Sequence, residues 1–221
     1  MKKIFLLLCI LSAGIAVTAQ TTDPPFRKEI DAFKKKDSEQ MPAKKSILFV
    51  GSSSFTKWTD VQDYFPGYPI LNRGFGGSSL PDVIRYLNEV IIPYDPKQIV
   101  IYCGENDVAG SDTITAPTVL KRFQILFSLI RNQLPKVPIA FISLKPSVSR
   151  WKFEPVIVET NKLIKDFLSK QSNAKFINIH DAMLNADGSV MTDIFIADNL
   201  HMNAKGYHIW QPIIQPKLLN R

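Results

Sequence analysis

Two kinds of hydrophobic segment alternate along the chain: short continuous apolar runs, and longer stretches with apolar residues three or four positions apart. Continuous runs are typical of strands buried on both faces of a parallel sheet, whereas the wider spacing is typical of amphipathic helices. Five runs are predicted as strands: residues 47–50, 69–72, 98–103, 139–144 and 175–179.

Helical spacing fills the intervals between these runs. Three patterns predict helices, formed by residues 83, 84, 87 and 91, by residues 120, 123, 127, 130 and 134, and by residues 156, 163, 164 and 167. An earlier pattern, Phe26, Ile30 and Phe33, predicts a short helix ahead of the first strand. Alternating strands and helices predict an α/β fold with a parallel sheet covered on both faces.

Residues 1–19 have the pattern of a secretory signal peptide. Lys2 and Lys3 form a positive start, residues 4–17 are apolar, and Ala19 ends a small-residue cleavage site. We expect cleavage after Ala19 and a secreted or periplasmic protein without an integral membrane segment. The rest of the chain then consists of a lead-in helix within residues 20–45 and one domain over residues 46–221.

Composition and charge narrow the classes of partner. The chain has 221 residues, of which 45% are hydrophobic and 21% charged, as expected for a globular domain with a full core. Removing Lys2 and Lys3 lowers the formal net charge from +7 to +5. The remaining lysines are spread over helix faces without interleaved aromatic residues, so we expect no nucleic-acid partner. Without the signal peptide only Cys103 remains, which excludes an internal disulfide.

Candidate chemistry lies where the predicted strands end, because ligands of open α/β sheets bind at the carboxyl ends of strands. Three such positions carry serine, glycine or asparagine: residues 51–54 (GSSS), 72–79 (NRGFGGSS) and 104–107 (GEND). Serine and asparagine are also common helix caps and turn residues, so each cluster alone has a plain structural interpretation.

The fourth cluster combines a carboxylate and an imidazole. Asp198 precedes His201 by three residues, and the chain contains only three histidines. A carboxylate at this spacing can hold the histidine Nδ1–H and leave Nε2 free to take a proton from a serine. This pairing favours nucleophilic catalysis by a serine.

Taken in order, the four clusters resemble the SGNH hydrolases, also called the GDSL lipase/acylhydrolase family, over almost the whole chain after residue 19. The resemblance implies a flavodoxin-like three-layer α/β/α sandwich with a five-stranded parallel sheet. It also implies Ser53, Asp198 and His201 as catalytic residues, and an oxyanion hole made by the Ser53 and Gly77 amides and the Asn106 side chain.

One position departs from the family pattern. The usual Gly-Asp-Ser is Gly51-Ser52-Ser53 here, so the residue before the expected nucleophile is not acidic. Both Ser52 and Ser53 are therefore candidate nucleophiles, and the alignment with the family favours Ser53.

The resemblance implies hydrolysis of carboxylic esters through an acyl-enzyme, without a metal or an organic cofactor. We expect a short acyl group, such as acetyl, on a glycan or a related small ester. The alternatives are a lysophospholipase or an enzyme like platelet-activating-factor acetylhydrolase, a thioesterase or peptidase, and a non-catalytic glycan-binding protein. Phe75 and Trp151 are predicted to contact the substrate.

Other residues are expected to have lesser roles. His180 and Asp181 follow the fifth strand and are candidate lining residues, and Lys145 follows the fourth strand with an open role. Structural roles are expected for Trp58, Cys103, Asp107 and His208.

Overall fold

The computed structural model describes residues 23–220. Their centre is a five-stranded, all-parallel sheet in the order β2-β1-β3-β4-β5. The strands are β1 Ile47–Gly51, β2 Ile70–Gly74, β3 Gln98–Tyr102, β4 Ile139–Ile142 and β5 Ala174–Ile177. All five predicted strands are confirmed, with ends within two residues of the predicted ones. The predicted α/β class is confirmed as well.

The strand order places a crevice at the carboxyl end of β1. The chain moves outward from β1 to β2, then returns to β3 on the other side of β1. In doubly wound sheets of this order, the reversal between β1 and β3 is the point at which ligands bind. The segments that follow β1, β2 and β3 therefore meet at one edge of the sheet.

Helices cover both faces of the sheet within the described residues. They are α1 Arg27–Glu39, α2 Ser53–Thr56, α3 Val61–Tyr64, α4 Leu80–Arg85, α5 Leu87–Val90, α6 Glu105–Ala109, α7 Ala116–Gln133, α8 Glu154–Leu168 and α9 Ala204–Ile214. Short 3₁₀ segments lie between them, including Val148–Phe153. The helical patterns around residues 83–91, 120–134 and 156–167 are confirmed as α4 with α5, α7 and α8.

Side chains of one strand divide between two hydrophobic clusters. Leu48 and Val50 of β1 pack in a cluster with α4, α5, α7 and α8, whereas Ile47 and Phe49 pack in a second cluster with α2, α3 and α9. Alternate side chains of a strand point to opposite faces, so a continuous apolar run fills both layers. This explains why β1 has no polar position before its end.

Helix α1 is joined to the sheet by a polar contact as well as by Ile30, which is fully buried in the first cluster. Asp37 forms an ion pair with Arg73 of β2 and accepts a hydrogen bond from the Tyr94 hydroxyl at 2.5 Å. The helix therefore packs as part of the same core. The predicted signal peptide, residues 1–19, lies outside the described residues.

In the part of the chain that the structure describes, none of the helices has the length and apolar character needed to cross a bilayer.

Candidate active site

The turn after β1 sets the position of the predicted nucleophile. Gly51 has φ +142°, and a Cβ built on it would lie 2.0 Å from the carbonyl oxygen of Tyr102 in β3. A side chain is therefore excluded at this position, and the chain turns directly from the strand into α2. Ser53 is the first residue of α2, where a backbone N–H has no carbonyl partner within the helix.

Ser53, His201 and Asp198 form a continuous hydrogen-bonded chain. The Ser53 Oγ lies 2.9 Å from His201 Nε2, and His201 Nδ1 lies 2.6 Å from Asp198 Oδ2. An ionised Asp198 can only accept, so Nδ1 carries the proton and Nε2 accepts from the Ser53 hydroxyl. Of the two candidate nucleophiles, Ser53 is the one that contacts His201.

The loop that carries His201 is fixed by Asp198 itself. Asp198 Oδ1 accepts hydrogen bonds from the backbone N–H groups of Leu200 at 3.0 Å and of His201 at 2.9 Å. Burial would raise the pKa of Asp198, but the hydrogen bonds from the His201 ring and from these backbone groups outweigh it. The pKa of Asp198 is consequently held well below its usual value, and the carboxylate stays ionised.

Asn106 lies beside Ser52 at the start of α6. Its Nδ2 donates to the Ser52 Oγ at 2.7 Å and to the carbonyl oxygen of Ser78 at 2.9 Å. The Asn106 amide therefore joins the segments that follow β1, β2 and β3. Ser52, at the position that is usually acidic in the family, acts here as a hydrogen-bond acceptor for Asn106.

The glycine-rich loop after β2 borders Ser53. A Cβ built on Gly76 would lie 3.9 Å from the Ser53 Cβ, and Gly77 has φ +86°, a backbone conformation that favours glycine. A Cβ on Gly77 would lie 3.7 Å from the Phe26 ring. The loop thus passes beside Ser53, and the role of the Gly77 amide in the oxyanion hole stays a prediction.

The prediction that Phe75 contacts the substrate is wrong. Phe75 is 1% exposed and packs against the rings of Phe26 at 5.4 Å and Tyr86 at 6.1 Å. Successive residues of this loop point in opposite directions, so the ring enters the core while Gly76 faces Ser53. Trp151, by contrast, is 41% exposed, and its contact with substrate stays a prediction.

Three charged side chains near Asn106 form a cluster that sequence reasoning did not identify. Glu105 accepts from Lys145 Nζ at 3.0 Å and forms an ion pair with Arg150 at 3.4 Å. Arg150 also donates to Asn106 Oδ1 at 2.7 Å. Lys145 follows the end of β4, a position that indicated a residue near the site, whereas Arg150 carried no such signal.

Burial and charge oppose each other in this cluster. Burial would raise the pKa of Glu105, but the charges of Lys145 and Arg150 and a hydrogen bond from Tyr102 lower it. Burial lowers the pKa of Lys145, and Glu105 opposes this shift. The two cations therefore share one buried carboxylate beside Asn106.

The remaining candidates lie elsewhere. His180 Nε2 lies 2.6 Å from Glu154 Oε1, so its contacts are with α8 and not with Ser53. His208 packs against the Tyr64 ring at 4.9 Å. Trp58 and Cys103 are fully buried, as predicted.

Asp107 supports the loop beside it, as expected: it accepts from the Leu80 backbone N–H at 2.9 Å and from Arg122 at 2.8 Å. Among residues 23–220 no group of three or more His, Cys, Asp or Glu side chains is arranged to hold a metal ion.

Comparisons with known proteins agree with this architecture. The chain is similar in structure to a GDSL-like lipase from Bacteroides thetaiotaomicron, with a TM-score of 0.71, 18% identity, and coverage of 85% of this chain and 96% of that one. It is also similar to an acetylxylan esterase from Geobacillus stearothermophilus, with a TM-score of 0.64, 13% identity, and coverage of 81% and 96%.

A third similar structure, a carbohydrate esterase family 3 protein from Talaromyces cellulolyticus, has a TM-score of 0.59, 17% identity, and coverage of 78% and 95%. No functionally curated protein shows significant sequence similarity to the chain. The sequence profile of the GDSL-like lipase/acylhydrolase family matches residues 46–209. The resemblance seen in the sequence is thus confirmed, and the chain belongs to the GDSL-like lipase/acylhydrolase family.

Proposed function

We propose that the protein is a serine esterase that removes short acyl groups, above all acetyl, from glycans or related small esters. The observation that carries this proposal is the continuous chain from Asp198 through His201 to the Ser53 hydroxyl, with distances of 2.6 and 2.9 Å. A serine oriented in this way is activated for attack on a carbonyl carbon.

The proposed reaction has two steps. In the first, Ser53 Oγ bonds to the ester carbonyl carbon, His201 Nε2 takes the hydroxyl proton and then passes it to the leaving alcohol. In the second, His201 takes a proton from water as the water oxygen attacks the acyl carbon, and it then passes this proton to Ser53 Oγ as the acyl–Oγ bond breaks and the carboxylic acid leaves. Asp198 stabilises the imidazolium in both steps.

The oxyanion of each tetrahedral intermediate is stabilised by the Ser53 and Gly77 amides and by Asn106. In the resting site, one Asn106 N–H faces the neutral hydroxyl of Ser52 at 2.7 Å. An anionic oxygen is a stronger acceptor than a hydroxyl. We therefore expect this N–H to leave the Ser52 hydroxyl and to donate to the oxyanion when it forms.

The openness of the site supports a short acyl group. The Asp198 side chain is 42% exposed, that of His201 is 17% exposed, and Ser53 is half-buried. A long acyl chain needs a deep apolar cavity to cover it, whereas an acetyl group does not. The structural similarity to an acetylxylan esterase supports a glycan as the alcohol part. We also propose that the chain is exported, because residues 1–19 have the pattern of a secretory signal peptide.

Hydrolysis of p-nitrophenyl esters, from acetate to palmitate, tests this function. We expect the chain without residues 1–19 to cleave the acetate fastest, and Ser53→Ala to lower kcat by about 10⁴-fold or more. Ser172→Ala, which changes an exposed serine, is the matched control and retains wild-type turnover.

Other outcomes would point elsewhere. A preference for palmitate favours a lipid acylhydrolase over an acetylesterase. Absence of turnover on every ester contradicts the esterase proposal and favours a binding role. Turnover by Ser53→Ala equal to that of wild type contradicts Ser53 as the nucleophile and favours another nucleophile.

A further inference from the structure

Asn106 is held from both ends of its amide. Arg150 donates to Oδ1 at 2.7 Å, while Nδ2 faces the Ser52 Oγ and the Ser78 carbonyl oxygen. An amide rotated by half a turn would place its NH₂ group against the guanidinium and its oxygen against a carbonyl oxygen. Both contacts would be repulsive, so Arg150 and Ser78 permit one orientation of Asn106.

Arg150 is itself held in place by buried charges. Its side chain is 18% exposed, and its guanidinium forms an ion pair with Glu105, whose side chain is 5% exposed. Glu105 is fixed by Lys145, which is 1% exposed, and by the Tyr102 hydroxyl at 2.5 Å. These groups lie at the ends of β3 and β4, so the position of Arg150 is determined by the sheet.

The cluster also has an electrostatic consequence. Lys145 and Arg150 carry two positive charges, and Glu105 carries one negative charge between them. The excess positive charge lies next to the amide that faces the oxyanion hole, in surroundings where charges interact strongly because little water is present. A charge-assisted hydrogen bond to Oδ1 also polarises the amide and strengthens its N–H donors.

We propose that Arg150 is a positioning residue of the oxyanion hole, which orients and polarises the Asn106 amide and is itself anchored by the Glu105–Lys145 pair. This inference rests on the proposed esterase function and extends it, since it assigns a role in rate enhancement to a residue outside the Ser53, His201 and Asp198 chain. Arg150 acts through Asn106 and does not touch the substrate.

A double-mutant cycle of Arg150 and Asn106 tests this role with p-nitrophenyl acetate. We expect Asn106→Ala to lower kcat by about 10²–10³-fold, and Arg150→Met to lower it by about 10–100-fold with KM almost unchanged. In the Asn106→Ala background, Arg150→Met should have little further effect, because the residue through which it acts is gone. Arg85→Met, which changes an exposed arginine paired with Asp82, is the matched control.

Three results would overturn the proposal. Additive effects of the two substitutions would mean that Arg150 acts independently of Asn106. A raised KM with unchanged kcat would mean that Arg150 contributes to substrate binding. An Arg150→Met variant with kcat and KM both unchanged would mean that the contact has no catalytic consequence. If Arg150→Met does not fold, as judged by circular dichroism, Arg150→Lys replaces it, with a smaller expected loss in kcat and the same unchanged KM.

Labelling with an alkyl fluorophosphonate separates this proposal from the proposed function. In that reaction the Ser53 Oγ–P bond forms, the P–F bond breaks, fluoride leaves, and His201 takes the hydroxyl proton. If no ester is turned over but Ser53 is labelled, the esterase proposal fails, and slower labelling of Arg150→Met still supports the role of Arg150. If Ser53 is not labelled, both proposals fail.

Discussion

At the scale of single residues, the Asp198 carboxylate is held in position by hydrogen bonds and not by burial. Its side chain is 42% exposed, yet it makes three hydrogen bonds: one to the His201 ring and two to backbone N–H groups of its own turn. The backbone contacts hold one carboxylate oxygen, and the other accepts from the imidazole. A local turn thus selects the His201 tautomer that can accept a proton from Ser53.

We predict that Asp198→Asn lowers kcat for p-nitrophenyl acetate by about 10³–10⁴-fold. The asparagine oxygen can keep the two backbone contacts, which places its NH₂ group against Nδ1. Nδ1 must then accept, Nε2 carries the proton, and the Ser53 hydroxyl loses its base. Asp187→Asn, in another exposed turn, is the control. A loss below about tenfold would show that Asp198 does not set the tautomer.

At the scale of elements, His180 connects the segment after β5 to the start of α8. Its ring lies between Glu154, the first residue of α8, at 2.6 Å and Asp181 at 3.1 Å. Burial would lower the pKa of His180, but hydrogen bonds to Glu154 and Asp181 outweigh it and raise the pKa above its usual value. The two carboxylates therefore favour the protonated imidazole, which joins α8 to the segment after β5.

This shift predicts a pH-dependent contribution to stability. A raised folded-state pKa gives stabilisation that is complete below the unfolded pKa of about 6.5 and is lost as pH rises through the folded-state value. The melting temperature of wild type should therefore exceed that of His180→Gln by more at about pH 5.5 than at about pH 8.5. An equal difference at both pH values would contradict the assignment.

At the scale of the whole molecule, two hydrophobic clusters share one sheet. Phe49 belongs to the cluster with α9, and Phe123 of α7 belongs to the cluster on the other face, where it packs against Phe141 at 4.7 Å. Since the same strands contribute to both clusters, neither layer can separate without exposing the sheet. We therefore expect the two layers to unfold together.

Phe49→Ala and Phe123→Ala should each lower the free energy of unfolding by about 3–5 kcal/mol, because both rings are fully buried. Fluorescence of the buried Trp58 and Trp210 reports on one layer, and far-ultraviolet circular dichroism reports on both. The two signals should give the same urea midpoint in each variant. Ile125→Ala, at a residue that is 44% exposed, is the control, and separate midpoints would show that the layers unfold independently.

The sequence alone determined the strands, the longer helices and the strand ends at which the candidate site lies. Continuous apolar runs indicate a strand that is buried on both faces, and apolar residues three or four positions apart indicate the buried face of a helix. Both patterns can be recognised in the sequence without any knowledge of tertiary contacts. The same holds for Asp198 and His201, whose spacing within one turn is local. Ser53 and Asn106 could be placed near them because both follow strands of one parallel sheet.

The tertiary structure decided what depends on side-chain direction and on packing between distant segments. Ser53 and not Ser52 faces His201 because adjacent residues at the start of α2 point differently, and Phe75 turns into the core for the same reason. Arg150 reaches Asn106, 44 residues away, only because β3 and β4 are neighbours. A sequence pattern records burial and spacing along the chain, but contacts of this kind arise only when separate elements pack together.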